Sequence, residues 1–120
     1  MNQLTTLFKL LSDETRLRII LLLFQEELCV CEISGILDIP QPTVSKGLSK
    51  LRDLSLVQDT RKEKFIYYKL KAEHTLLHSL LTDIMENLQS YPQLQQDQLG
   101  IASKWKYSDT ATPMDKNALA

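Results

Sequence analysis

A mainly α fold that carries one β-hairpin is what the sequence predicts, and three observations predict it. Apolar residues recur at helical spacing in LTTLFKLL, in RLRIILLLF and in TLLHSLLTDIM. Two β-prone runs, LVQDTR and KFIYYKL, flank a short charged turn. The proline pair in DIPQP divides two short helical stretches just before that hairpin.

The elements follow in order. Leu4, Leu7, Phe8 and Leu11 recur at helical spacing and mark a first helix. Ser12 is placed to cap the next helix, with Asp13 and Glu14 set against its positive end. That helix, TRLRIILLLFQ, is apolar nearly all round and is expected to be buried. A short apolar helix follows, roughly residues 29–37, and ends before Pro40. Pro42 then suits the first turn of the helix PTVSKGLSKLRDLSL. This helix turns Val44, Leu48 and Leu51 inward and shows Thr43, Ser45, Lys46, Ser49 and Lys50 outward. In the hairpin, Ile66, Tyr68 and Leu70 alternate with Phe65, Tyr67 and Lys69 around a turn at residues 61–64. A long helix at about 73–89 carries the stripe Leu76, Leu77, Leu80, Leu81, Ile84, Met85 and Leu88. Tyr91–Pro92 ends it. The expected division is one folded domain at 1–90, then a short helix within QLQQDQLGIA and a flexible tail across 91–120.

Length and composition narrow the function. A chain of 120 residues, 43% of them hydrophobic, suits one folded domain with a modest core. Neither a signal peptide nor an apolar run long enough to cross a membrane is visible, so a cytoplasmic protein without a membrane partner is expected. The net charge of −1 hides an uneven distribution. Residues 41–71 hold 8 basic and 3 acidic groups, whereas the segments on either side are each net negative. A polyphosphate meets that local field, not the total.

Two short helices joined by a proline-containing turn, then a basic hairpin, are the order of a winged helix-turn-helix. Its second helix enters the DNA major groove. Gln41, Thr43, Ser45 and Ser49 supply short polar groups for base edges or phosphates, and Lys46 and Lys50 add charge. Arg61, Lys62 and Lys64 are expected at the hairpin tip, against DNA backbone or minor groove. The partner implied is double-stranded operator DNA. The stripes of the first and last long helices, with Leu4, Leu7, Phe8, Leu77, Leu80, Leu81, Ile84 and Leu88, point to a two-fold interface between two copies. Such a homodimer would read an inverted repeat.

Both cysteines lie in ELCVCEI, one residue apart. In a reducing compartment a thiol site for a metal or for redox chemistry is expected, and a structural disulfide is not. Thiolates favour soft ions such as arsenite, antimonite, cuprous copper, cadmium or lead. Side chains two apart in an α-helix point about 200° apart around its axis. If both cysteines sat in the first helical turn, gripping one ion would require that turn to unwind. His74 and His78, four apart on one helix, have no evident third ligand and read as polar rim residues.

The segments LSDETRLRIILLL, ELCVCEI, QPTVSKGLSKLRDLSLV and RKEKFIYYKL resemble, in order and spacing, the ArsR/SmtB family of winged-helix metalloregulatory repressors over about residues 4–89. ELCVCEI is similar to the metal-binding box of its arsenic-responsive members. The resemblance implies a dimeric repressor that leaves its operator when arsenite, antimonite or another soft metal ion binds Cys29 and Cys31, with no organic cofactor. It also implies a recognition helix at 41–50. The chain departs from the pattern in three places. Ser34 stands where a third cysteine is frequent, and Gly47 stands where a histidine is. The positions of a zinc site on the last long helix hold Ala72, His74, Met85 and Leu88. A thiol-based redox regulator using the same cysteine pair is the alternative. A thiol oxidoreductase is disfavoured, since the chain has no Cys-x-x-Cys. A helical partner-binding module with no DNA role is the remaining alternative. No enzyme activity is expected.

Overall fold

The computed structural model describes residues 2–107, with the backbone alone at Asn2. Helix α1 (Asn2–Leu11) leads into α2 (Glu14–Gln25), a short strand β1 (Leu28–Cys29), α3 (Val30–Leu37) and α4 (Gln41–Asp53). Strands β2 (Val57–Lys62) and β3 (Phe65–Leu70) follow, then α5 (Thr75–Glu86) and, past a 3-10 turn, α6 (Pro92–Gly100). Helix α2 is the central element. Its Ile19 through Leu23 are all buried, as its all-round apolar pattern requires. Ile33 and Leu37 of α3, Val44, Leu48 and Leu51 of α4, and Leu77 and Leu81 of α5 close the core around it.

Caps set the helix boundaries. Asp13 caps α2 by accepting the Arg16 backbone N–H at 3.0 Å. This corrects the expectation for Ser12, whose hydroxyl instead donates back to the Lys9 carbonyl. The shorter serine belongs to the exit of α1, and the carboxylate faces the positive end of α2. Gly47 is buried where α2 and α4 approach closely; a Cβ there would lie 2.9 Å from Ile19 Cδ1. That proximity outweighs the poor helix propensity of glycine.

Helix α4 ends in a Schellman motif: Leu56 N–H donates to Leu51 O and Ser55 N–H to Arg52 O. Ser55 therefore sits at φ 59°, a left-handed conformation that favours glycine. Ser55→Gly should stabilise the chain by about 0.5–1 kcal/mol, read as a rise of a few degrees in Tm. No rise would mean that the strain at Ser55 is relieved by other means.

The hairpin has a third partner that was not expected. β1 pairs antiparallel with β3, Leu28 opposite Tyr68 and Cys29 opposite Tyr67, giving the strand order β1-β3-β2. The turn is also tighter than expected. Lys62 pairs with Phe65 in the ladder, so only Glu63 and Lys64 form the loop. In the C-terminal segment, α6 occupies the stretch expected to hold a short helix. α6 packs on α2 and α3, and Ile101 of the 3-10 turn Ile101–Ser103 packs against the core. Of the tail expected to be flexible, residues 108–120 lie outside the described residues.

Candidate functional site: a basic helix face above a thiol pair

The outer face of α4 carries Gln41, Thr43, Ser45, Lys46, Ser49 and Lys50, all exposed, while Val44, Gly47, Leu48 and Leu51 face the core. This is the division expected from the sequence. A polar cleft of about 210 Å³ runs between the start of α2 and α4, lined by Asp13, Thr15, Arg16, Thr43, Lys46, Gly47 and Lys50. Thr15 and Arg16 are therefore neighbours of this polar face that sequence reasoning missed. Their place beside α4 depends on the helix crossing, which leaves no mark in the order of residues.

The wing cations divide. Arg61 and Lys64 are exposed. Lys62, expected to face DNA, instead reaches back to Glu27 Oε1 at 2.6 Å and lies over the Tyr67 ring at 5.3 Å. Arg52, another cation of the basic block, pairs with Asp59 at 3.3 Å. These partly exposed pairs are weak, and each must be given up before its cation can meet a phosphate.

The cysteines do not share one helical turn, which corrects the expectation built on their spacing. Cys29 lies in β1 with extended backbone, φ −93° and ψ 170°, and serves as the N-cap of α3. Cys31 is the second residue of that helix. The change of conformation between them brings Sγ to Sγ at 3.2 Å with α3 intact. No unwinding is needed to bring the sulfurs together. A capping box holds the pair: the Cys29 side chain accepts the Glu32 backbone N–H, and Cys29 N–H donates to Glu32 Oε1 at 3.0 Å. Both thiols are closed to solvent, Cys29 at 2% and Cys31 at 9% exposure.

Their ionisation is split by their mutual hydrogen bond. The hydrogen bond between the two sulfurs, with burial in a dry site, holds the Cys29 proton well above the ordinary thiol value. Cys31 falls below its ordinary value, because it receives that hydrogen bond and backbone N–H groups at the start of α3. One thiolate, on Cys31, should therefore appear below the ordinary thiol value. Absorbance near 240 nm against pH should rise by one thiolate equivalent there and by the second only in strong alkali. The linkage has two signs. The contribution of Cys31 to stability is present above the unfolded thiol value and is lost as pH falls through its lowered value. The contribution of Cys29 is present below the unfolded value and is lost as pH rises through its raised value. Two equivalents rising together would contradict this arrangement.

Other candidate ligands are committed elsewhere. Ser34 Oγ donates to the Ile39 carbonyl in the turn before α4. His74 Nδ1 caps α5 by accepting Leu77 N–H at 3.3 Å, and His78 Nε2 bonds the Lys71 carbonyl at 3.0 Å. Among the described residues no group of three or more His, Cys, Asp or Glu side chains gathers. The cysteine pair thus supplies two soft donors, which suits a thiophilic ion that completes its shell from solvent.

The expected dimer residues also divide. Leu7, Leu77, Leu81 and Leu88 are buried within the single chain. Leu80 and Ile84 are half-buried. Leu4 and Phe8 are exposed at 39% and 49%, together with Leu76, which faces out at 41%.

A helix pair with a basic outer face, a β wing, and a thiol pair at the head of α3 together give the architecture of a winged helix-turn-helix. Residues 13–59 match the family described as bacterial regulatory protein, arsR family. An arsenical resistance operon repressor of Staphylococcus aureus is 36% identical over 87 residues, covering 72% of this chain and 78% of that protein. The chain belongs to the ArsR family. An arsenic resistance transcriptional regulator of Pseudomonas putida is 45% identical over 67 residues, 55% of this chain. That alignment spans only 52% of the Pseudomonas protein, about half its length. Among solved structures, the homodimeric winged helix-turn-helix DNA-binding domain from Mycobacterium bovis superposes with a TM-score of 0.61 at 28% identity. It covers 71% of this chain and 80% of that domain. No described helix is long and apolar enough to cross a membrane.

Proposed function

We propose that the chain is a homodimeric transcriptional repressor that binds operator DNA and leaves it when arsenite or antimonite is captured by Cys29 and Cys31. One observation carries the inducer: two sulfurs held 3.2 Å apart in a site shut from water. With metal–sulfur bonds of about 2.3 Å, that separation subtends roughly 90° at the bound atom. A trivalent pyramidal centre accepts such an angle, whereas a tetrahedral ion prefers a wider one. The named functions of the S. aureus and P. putida relatives support the same class of inducer.

Capture is balanced as follows. The Cys29 thiol, the Cys31 thiolate, arsenous acid and one proton give a dithiolate arsenic hydroxide and two waters. The arsenic atom and its hydroxyl then need room in a closed site, so what borders the site must move. Two DNA-facing elements border it. β1 is hydrogen-bonded to the wing strand β3, and α3 leads through a three-residue turn into α4. Displacement of either misaligns the basic face from the groove.

The proposed interface uses the exposed Leu4, Phe8 and Leu76 with the half-buried Leu80 and Ile84. It would place two copies of α4 at the half-sites of an inverted repeat. The test is a titration of arsenite against the protein bound to its own promoter DNA, beside a titration of peroxide. Release by arsenite at micromolar dose is expected. Release by peroxide alone would favour the redox reading, and release by neither would remove both.

A further inference from the structure

The segment from α6 to Tyr107 lies outside the matched residues 13–59 and is fastened at four places, two on α3, one on α2 and one at the C-cap of α2. Asp97 forms a two-pronged pair with Arg18, Nε to Oδ2 at 2.9 Å and Nη2 to Oδ1 at 3.0 Å. The same Arg18 Nη2 also donates to the Leu37 carbonyl at the end of α3. Gly100 rests on Ile36; a Cβ there would lie 2.9 Å from Ile36 Cγ2. The Tyr107 ring fills the place a Cβ on Gly35 would occupy. Lys104 pairs with Glu26, just ahead of β1. The last two fastenings bracket the cysteines, one before residue 29 and one after residue 31. Gly35 is four residues from Cys31, on the same helix face and one turn away.

We propose that this C-terminal strap is a gate over Cys29 and Cys31: docked, it shuts the thiols from solvent; undocked, it admits the inducer. The proposal rests on the reading of that pair as the inducer site. The strap is suited to open before the rest of the chain does. Of the nine residues of α6 only Asp97 is buried, and Leu99 is 71% exposed. Its attachment rests on the Arg18–Asp97 pair and on the half-buried Leu94 and Ile101, with no fully buried apolar side chain in α6. The Arg18–Asp97 pair exchanges water for a partner with little net gain, so releasing it costs far less than unfolding the core. Strap opening then sets the rate of capture, while the two sulfurs and their spacing set its affinity.

Gly35→Ala in the full chain separates the strap from the helix. The added methyl displaces the Tyr107 ring, yet alanine strengthens α3 itself. Alkylation by iodoacetamide at fixed pH, followed by mass spectrometry, reads access to the thiols without any inducer or DNA. At least a tenfold faster alkylation is expected in Gly35→Ala, with helix content unchanged, and arsenite capture in stopped flow should accelerate in parallel. Asp97→Asn, which weakens the anchor at the other end, reads the same quantity if the alanine chain does not fold. An alkylation rate within twofold of wild type overturns the gate. If alkylation accelerates but arsenite binds none of the chains, the gate stands and the inducer assignment fails.

Discussion

Cys29→Ser is expected to abolish arsenite-dependent release while leaving operator affinity within about twofold of wild type. Serine is among the preferred N-cap residues, so its hydroxyl can still accept the Glu32 N–H and α3 should remain intact. What disappears is the second soft donor. A two-point attachment reduced to one point loses the advantage of an intramolecular second contact, roughly 10²–10⁴-fold in inducer affinity. Cys31→Ser should lose as much, and it removes the group that carries the thiolate. Anisotropy of labelled promoter DNA, titrated with arsenite for each chain, makes the measurement. Wild-type inducer response in either serine chain would show that the pair is not the sensor.

Lys46→Ala with Lys50→Ala should weaken DNA binding more than any other double change on the basic surface. Both side chains are exposed on the outer face of α4, beside the cleft shared with Thr15 and Arg16. A dimer loses four cations. If each neutralises one phosphate, the slope of log K against log salt falls by about 3.6, and affinity at 0.15 M salt falls roughly a thousandfold. Lys62→Ala should cost less than about fivefold, because that cation already faces Glu27 and Tyr67 in the free protein. The comparison needs the full salt series, since one salt concentration cannot separate charge from base contacts. An unchanged slope in the double variant would move the DNA-binding surface away from α4.

Helix α4 and its exposed polar face were legible because their signal is local. Pro42 marks the first turn, and the alternation of Val44, Leu48 and Leu51 with hydroxyls and lysines fixes which side faces out. The cysteine segment was legible in composition but not in conformation. Residues 29–31 span the junction of a strand and a helix, and β1 is two residues long. Such a strand exists only because β3 offers it an edge to pair with. Treating both cysteines as helical put their sulfurs far apart, and one extended residue reverses that result. The leucines of α5 show a related limit. Periodicity places Leu77, Leu81 and Leu88 on an apolar stripe, but not whether their own core or a second copy covers it.

Amino-acid order alone settled the helical character, the proline-marked helix pair, the basic block and the soft-donor chemistry of ELCVCEI, since each depends on neighbours along the chain. Tertiary structure alone decided the 3.2 Å approach of the sulfurs, the join of β1 to the wing, the Glu27–Lys62 pair and the docking of Asp97 on Arg18. Each of these except the sulfur pair joins residues far apart in the chain. The sulfur pair depends on them too, because pairing with a distant strand holds Cys29 extended against the start of α3.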